Sequence, residues 1–200
     1  MKADESRAGK KIVAIATSTG GPKALQVLVP LLPSNLNAPI MIVQHMPAGF
    51  TKALADRLNL LSQVSVKEAE EGDILENGHA FVARGGVHMN AVKCGKRHMI
   101  HYSDEPPREG VKPCANYMYE SLADCGYDEI VCAVLTGMGA DGTAGLLNLK
   151  KKKRITVFSQ KEETCVVYGM PRSVVLAGLS DKELSLEQIA QEITKSVGVN

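Results

Sequence analysis

No stretch of this 200-residue sequence approaches the roughly 20 consecutive apolar residues that a helix needs to cross a bilayer, so a helical membrane span is excluded. Neither sign of charge predominates. Against 22 Asp and Glu stand 23 Lys and Arg, a formal net charge of +1, and nothing draws the molecule as a whole to nucleic acid. The basic string "LKKKKR" (149–154) reads as a helix C-terminus complementing its macrodipole. No C-x-x-C pair occurs among the five cysteines, Cys94, Cys114, Cys125, Cys132 and Cys165, and their number is odd, which argues against a disulfide framework or a redox motif. No apolar stretch follows the lysines of the opening "MKADESRAGK", so no secretory signal is expected, and with unpaired cysteines the expected compartment is a reducing cytoplasm. Residues 1–10 read as a polar tail or linker remnant, and residues 11–200 as a single domain. There is no internal repeat and no low-complexity segment.

What is present is an alternation of strand, turn and helix. "KIVAIAT" (11–17), "PIMIVQ" (39–44), "EIVCAVL" (129–135) and "RITVFS" (154–159) are short and almost continuously apolar, as strands buried on both faces are. Helical patterns lie between them at residues 22–29, 51–61, 114–125 and 143–151. The expected fold is therefore α/β: a doubly wound, mostly parallel sheet with flanking helices. Residues 79–103 break the rhythm. Glycines 85, 86 and 95 punctuate β-prone runs there, predicting antiparallel hairpins at one edge of the sheet. A polar, proline-rich loop follows at 103–113, long enough to suggest a functional surface. Ser185 and Gln188 form a capping-box signature for a terminal amphipathic helix.

In an open parallel sheet, ligands and chemistry collect beyond the carboxyl ends of the strands. Three such ends carry polar residues: Ser18 in "ATSTGGP", His45 in "IVQHMPAGF" and Asp141 in "TGMGADG". A serine hydroxyl becomes a nucleophile when a base takes its proton, and the base needs a third group to fix its tautomer and orientation. Serine, histidine and aspartate at three strand ends supply those types. The tight turn after Ser18 would lift its Oγ out of the sheet and aim backbone amides beside it, where an oxyanion could sit. Taken singly, each residue has a plainer reading. A glycine-rich strand-to-helix turn often cradles a phosphate, although "TSTGGP" is neither G-x-G-x-x-G nor a Walker A loop. His45 alone reads as a hydrogen-bonded structural histidine, and Asp141 as a turn residue. A zinc site from Cys94, His98 and His101 with His88 matches no standard spacing, and these positions read as polar residues on an exposed hairpin.

The strings "TSTGGP", "VQHMPAGFTKALADRLN", "VKEAEEGD", "LTGMGADGTAGLL" and "VVYGMPRSVV" resemble, in order and spacing, the catalytic domain of the bacterial chemotaxis protein-glutamate methylesterases, the CheB type. The resemblance covers nearly the whole chain from Lys11 onward. It implies hydrolysis of glutamate γ-methyl esters on chemoreceptor helices with release of methanol, and deamidation of receptor glutamines in many members. By motif, Ser18 would be the nucleophile, His45 the base and then acid, Asp141 the residue that orients the imidazole, and the amides of Thr19 and Met138 the oxyanion hole. No cofactor, metal, nucleic acid or membrane insertion is implied, and the site should be a shallow, accessible groove. Competing readings are a phosphate- or nucleotide-binding module and an inactive receptor-binding scaffold. Many members carry a receiver domain before the esterase, and nothing here resembles one, so this is a catalytic portion or a free-standing esterase. The chain departs from the family pattern at Ala16 and Thr17, which would crowd the turn, and at Arg84 and Asn116, where proline and aspartate are usual. Arg84 reads either as a solvated loop arginine or as a contact for an acidic receptor segment.

Overall fold

In the computed structural model, which describes residues 9–200, seven strands pair in parallel throughout, in the order β3-β4-β2-β1-β7-β8-β9. The central three are β1 (Lys11–Thr17), β2 (Ile40–Gln44) and β7 (Glu129–Val134), and nearly every residue in them is buried. Burial on both faces explains their unbroken apolar character, since successive side chains of a strand point to opposite sides. Ile12, Ala14 and Ala16 belong to one core and Val13 and Ile15 to the other.

Each core is roofed by helices. α1 (Gly21–Leu28), α2 (Phe50–Leu61) and α6 (Leu186–Val197) close one face. α3 (Ala115–Ser121), α4 (Thr143–Lys150) and α5 (Met170–Leu176) close the other. The doubly wound arrangement expected from the alternation is thus observed. β8 (Ile155–Gln160) and the short β9 (Lys182–Leu184) extend the sheet on one side, and β4 (His79–Val82) and β3 (Ser65–Glu68) on the other. α6 opens with the expected capping box, Ser185 Oγ accepting from Gln188 N at 3.3 Å and Gln188 Oε1 from Ser185 N at 3.0 Å.

The glycine-punctuated segment divides. Its first run, β4, joins the parallel sheet between β2 and β3. The antiparallel hairpin is β5 (His88–Cys94) with β6 (Arg97–Ser103), a two-stranded sheet of its own that contributes Met89, Ala91 and Ile100 to the core under α3. His88 and His98, expected on an exposed hairpin, are instead 0% and 5% exposed: His98 shares the inward face with Ile100, while His88, on the opposite face, is covered by residues 105–106 and by Cys114 and Tyr117. Of the tail expected at 1–10, residues 1–8 lie outside the described residues. Among the described residues no helix is long and apolar enough to cross a membrane.

Chain connections run from β1 through α1 to β2 on one side, and from β7 through α4 to β8 on the other. α1 and α4 lie on opposite faces. The order reverses between β1 and β7, and a crevice at such a switch point is where open α/β sheets place their ligands.

Candidate active site

Ser18 is the first residue beyond β1 and His45 the first beyond β2. Parallel pairing in the register Thr17↔Gln44 makes them neighbours at the sheet's edge, with His45 N donating to Thr17 O at 3.2 Å. On the other flank Ser18 N donates to Thr136 O (3.0 Å), tying the serine to the loop after β7. The turn into α1 needs its first glycine for its backbone, since Gly20 has φ +83°. Thr17 does not crowd this turn. It is fully buried, and its Oγ1 donates to Thr136 O at 3.0 Å, adding a second tie between β1 and the β7 loop.

His45 is seated by the loop it begins. A Cβ on Gly85, after β4, would lie 2.4 Å from Ala48 N, so the 46–48 backbone passes directly over that glycine. Gly85 N donates to Thr51 Oγ1 (3.1 Å), whose hydroxyl donates to Glu68 Oε1 at 2.6 Å. The His45 side chain is 10% exposed, and its Nε2 lies 2.7 Å from Asp141 Oδ2.

Asp141 is 3% exposed and held by more than the histidine. Its Oδ2 also accepts from Ala115 N (2.6 Å), and its Oδ1 from Asn116 N (3.0 Å) and Cys114 Sγ (3.0 Å). Burial acts to raise the carboxyl's pKa, but the bonds from His45, Cys114 and Ala115 together with the charge of the ring outweigh it, and the pKa is lowered. The Cys114 thiol, buried and facing that charge, is pushed up to about 12 and remains a donor. An ionised Asp141 accepts, so Nε2 of His45 carries the proton and Nδ1 presents the lone pair a base requires.

Asn116 holds the loop that carries Asp141. Fully buried, its Oδ1 accepts from Gly142 N (3.0 Å) and Gly145 N (2.6 Å), capping α4 from a different helix, while its Nδ2 donates to Glu109 Oε1 (2.7 Å). His88 secures the neighbouring residue, its Nδ1 accepting from Cys114 N at 3.2 Å and its Nε2 lying 3.1 Å from Glu105 O. Burial lowers the His88 pKa and favours the neutral ring that this pairing needs.

Gly137 lies against Ser18, where an added Cβ would meet Ser18 Cβ at 2.9 Å. The Y-G-M-P-R segment fixes this loop, with Gly169 N and Met170 N both donating to Gly137 O at 3.0 and 2.8 Å. Among the described residues the amides of Thr19 and Met138 donate to no protein acceptor, and both residues are exposed. Nor does Ser18 Oγ hydrogen-bond to His45 Nδ1; such contacts are often long until the reacting complex forms.

The sequence reasoning missed Cys114, Ala115 and His88 as supports, and treated Asn116 only as a departure. Their signal is weak, because backbone donors at a helix start bear no recognisable spacing to a carboxylate 25 or so residues later. The four residues weighed for zinc are dispersed: Cys94 is exposed, His101 pairs with Glu71 (2.9 Å), His98 accepts from Gly126 N (2.9 Å) and His88 serves Cys114. All five cysteines are free thiols. Arg84 is exposed, its guanidinium 5.0 Å from the Tyr102 ring centroid.

A profile of the CheB methylesterase family matches residues 13–193. The protein-glutamate methylesterase/protein-glutamine glutaminase of Geobacillus kaustophilus is 44% identical over 193 residues, covering 96% of this chain and 55% of that protein. The Bacillus subtilis protein of the same description is 46% identical over 191 residues, covering 94% and 53%. The chain spans about half the length of these curated relatives. The crystal structure of the Thermotoga maritima CheB methylesterase catalytic domain superposes with a TM-score of 0.91 at 38% identity, covering 94% of this chain and 99% of that one.

Proposed function

This chain belongs to the CheB methylesterase family, and we propose that it is a serine hydrolase that removes methyl esters from glutamate side chains on chemoreceptor helices. The observation that carries the reading is the His45–Asp141 pair, 2.7 Å long and backed by a buried carboxylate with three further donors, one residue past the strand adjoining Ser18.

In the first step Ser18 Oγ attacks the ester carbonyl carbon as its proton passes to His45 Nδ1. Asp141 holds the resulting imidazolium through Nε2. The tetrahedral oxyanion is received by Thr19 N and Met138 N, each such donor being worth about 10²–10³ in kcat in a well-formed hole. Collapse breaks the C–OCH₃ bond, and methoxide leaves as methanol with the proton from Nδ1. Water then attacks the glutamyl–Ser18 ester, giving its proton to Nδ1, which returns it to Ser18 Oγ. With a glutamine side chain the same steps release ammonia, the second activity in the names of the relatives. The scheme uses these side chains, backbone amides and water.

A substrate carried on a helix needs an open site. Ser18 is half-buried, and Phe50, Met138 and Val166, which follow β2, β7 and β8, are 61%, 74% and 65% exposed. These residues give the carboxyl edge of the sheet an apolar rim suited to a helix face. Acid-quenching the reaction with methylated receptor and mapping the adduct by mass spectrometry tests the scheme. The expected result is a glutamyl ester on the Ser18 peptide, absent in Ser18→Ala; an adduct elsewhere would refute the assignment.

A further inference from the structure

Gln44 stands between the two residues assigned to the chemistry, and the inference drawn for it rests on that assignment. It ends β2 and is 2% exposed. Its Nε2 donates one hydrogen to Ser18 O on the adjoining segment at 3.0 Å and the other to His45 O, the next carbonyl of its own segment, at 3.1 Å. The β1–β2 register ends at Thr17↔Gln44, and beyond it Ser18 turns into α1 while His45 enters the 46–49 loop. The amide takes over where the ladder stops, and its two bonds set the separation of the chain segments bearing nucleophile and base.

The other end of the same side chain is unsatisfied. Gln44 Oε1 is buried with no hydrogen-bond partner among the described residues. A buried acceptor without a donor costs stability, and an apolar side chain of equal length would avoid that cost. Packing alone does not account for an amide at this position; its donor end does.

Gly21 gives a third, independent sign. A Cβ built there would lie 1.9 Å from Gln44 Oε1 and 2.4 Å from Thr17 Oγ1. Gly21 is the first residue of α1 and lacks the positive φ of Gly20, so space for the Gln44 amide and the neighbouring Thr17 hydroxyl is what requires a glycine here. The two glycines of "TSTGGP" thus have separate tasks, one for the turn and one for the side chains of Gln44 and Thr17.

We propose that Gln44 is a positioning residue, clamping the Ser18 and His45 backbones so that Oγ and Nδ1 meet when substrate binds. Misplacement of reacting groups by about 1 Å costs on the order of 10²-fold in rate, so removal of the clamp should act on turnover. The test compares this chain with Gln44→Met, Gln44→Glu and Gly21→Ala, measuring kcat and KM for methanol release from methylated receptor together with thermal melting, Ser18→Ala serving as blank. Gln44→Met is expected to melt at or above the parent temperature with kcat down by about 10–100-fold and KM within about twofold. Gln44→Glu has a carboxylate that donates nothing when ionised and one hydrogen bond when protonated, so its rate relative to the parent should recover as pH falls. Gly21→Ala, which displaces the amide, should reproduce the loss in kcat.

Parent-like kcat in Gln44→Met overturns the proposal, as does a loss that follows melting temperature or falls on KM. Ser18-dependent release by the parent with no effect in Gln44→Met refutes the clamp alone. Absence of any Ser18-dependent release on a competent receptor refutes the assignment of Ser18 and, with it, the clamp.

Discussion

His45 Nε2 and Asp141 Oδ2 are 2.7 Å apart although 96 residues separate them in the chain, and the carboxylate making this bond is anchored at both oxygens. The imidazole therefore hangs by Nε2 from a fixed acceptor, which leaves Nδ1 free of the carboxylate. This is the reverse of the ring orientation in the chymotrypsin-type triad, where Nδ1 faces the aspartate. The exchange is compatible with the proposed roles of base and orienting group, because either nitrogen of a neutral imidazole can carry the lone pair.

Asp141→Asn should cut turnover by about 10⁴-fold, as the corresponding change does in serine proteases, because an amide does not enforce the tautomer. Steady-state methanol release checks this, and a near-parental rate would refute the role of Asp141. Folding should suffer too, since the amide's NH₂ would confront donors that now meet an oxygen.

Stability should fall in acid through this same group. The Asp141 pKa is lowered from its ordinary 3.8, so in the window below that value the unfolded chain binds the proton that the folded chain refuses. Its stabilising contribution is complete above 3.8 and is lost as pH drops through the folded value. Melting temperature against pH should show an acid limb that is shallower in Asp141→Asn than in the parent.

Cys114 should behave as a hydrogen-bond donor and not as a reactive thiol. Cys114→Ser keeps a donor to Asp141 Oδ1 and should retain activity. Cys114→Ala removes it, at an expected cost of about 1.5–3 kcal/mol, the range for bonds to a charged group. A thiol reagent at pH 8 should modify the exposed Cys94 quickly in the native protein, and reach the buried Cys114, Cys125 and Cys132 only on unfolding. Rapid native labelling of Cys114 would contradict its burial and its raised pKa.

Asn116→Leu should destabilise the fold by about 2 kcal/mol or more, because two buried amides, those of Gly142 and Gly145, lose their acceptor. Asn116→Asp retains an acceptor for both and should destabilise less than Asn116→Leu in a denaturation titration. Its second oxygen would face Glu109 Oε1, where an amide nitrogen now donates. Hydrogen exchange should then quicken in the 103–113 loop without a comparable change in the strands.

The placement of Ser18 and His45 at strand ends is legible in the sequence because each directly follows an unbroken apolar run, whereas Asp141 lies further out in the glycine-rich loop after β7. The supports of Asp141 are not legible. Two of its donors are the backbone amides of Ala115 and Asn116, which any residue but proline supplies, and the third is a thiol that reads as a small core residue. The edge strands are equally quiet: "SVKE" and "KEL" are half-exposed and charged, without the apolar run that marks β1. His79–Val82 is placed among hairpins by its neighbouring glycines, yet the burial of Ala80, Phe81 and Val82 on both sides puts it in the parallel sheet. Alternation of buried and exposed residues begins only in the hairpin itself, where one face is open to solvent.

The central claim, that Ser18 is the nucleophile of a methylesterase, is tested most directly by methanol release from a methylated chemoreceptor preparation, with the parent chain and Ser18→Ala assayed side by side. Release by the parent and none by the variant, with both melting at the same temperature, is the predicted result. Equal release by the two proteins would place the nucleophile elsewhere, and no release by either on a receptor known to be competent would contradict the esterase itself.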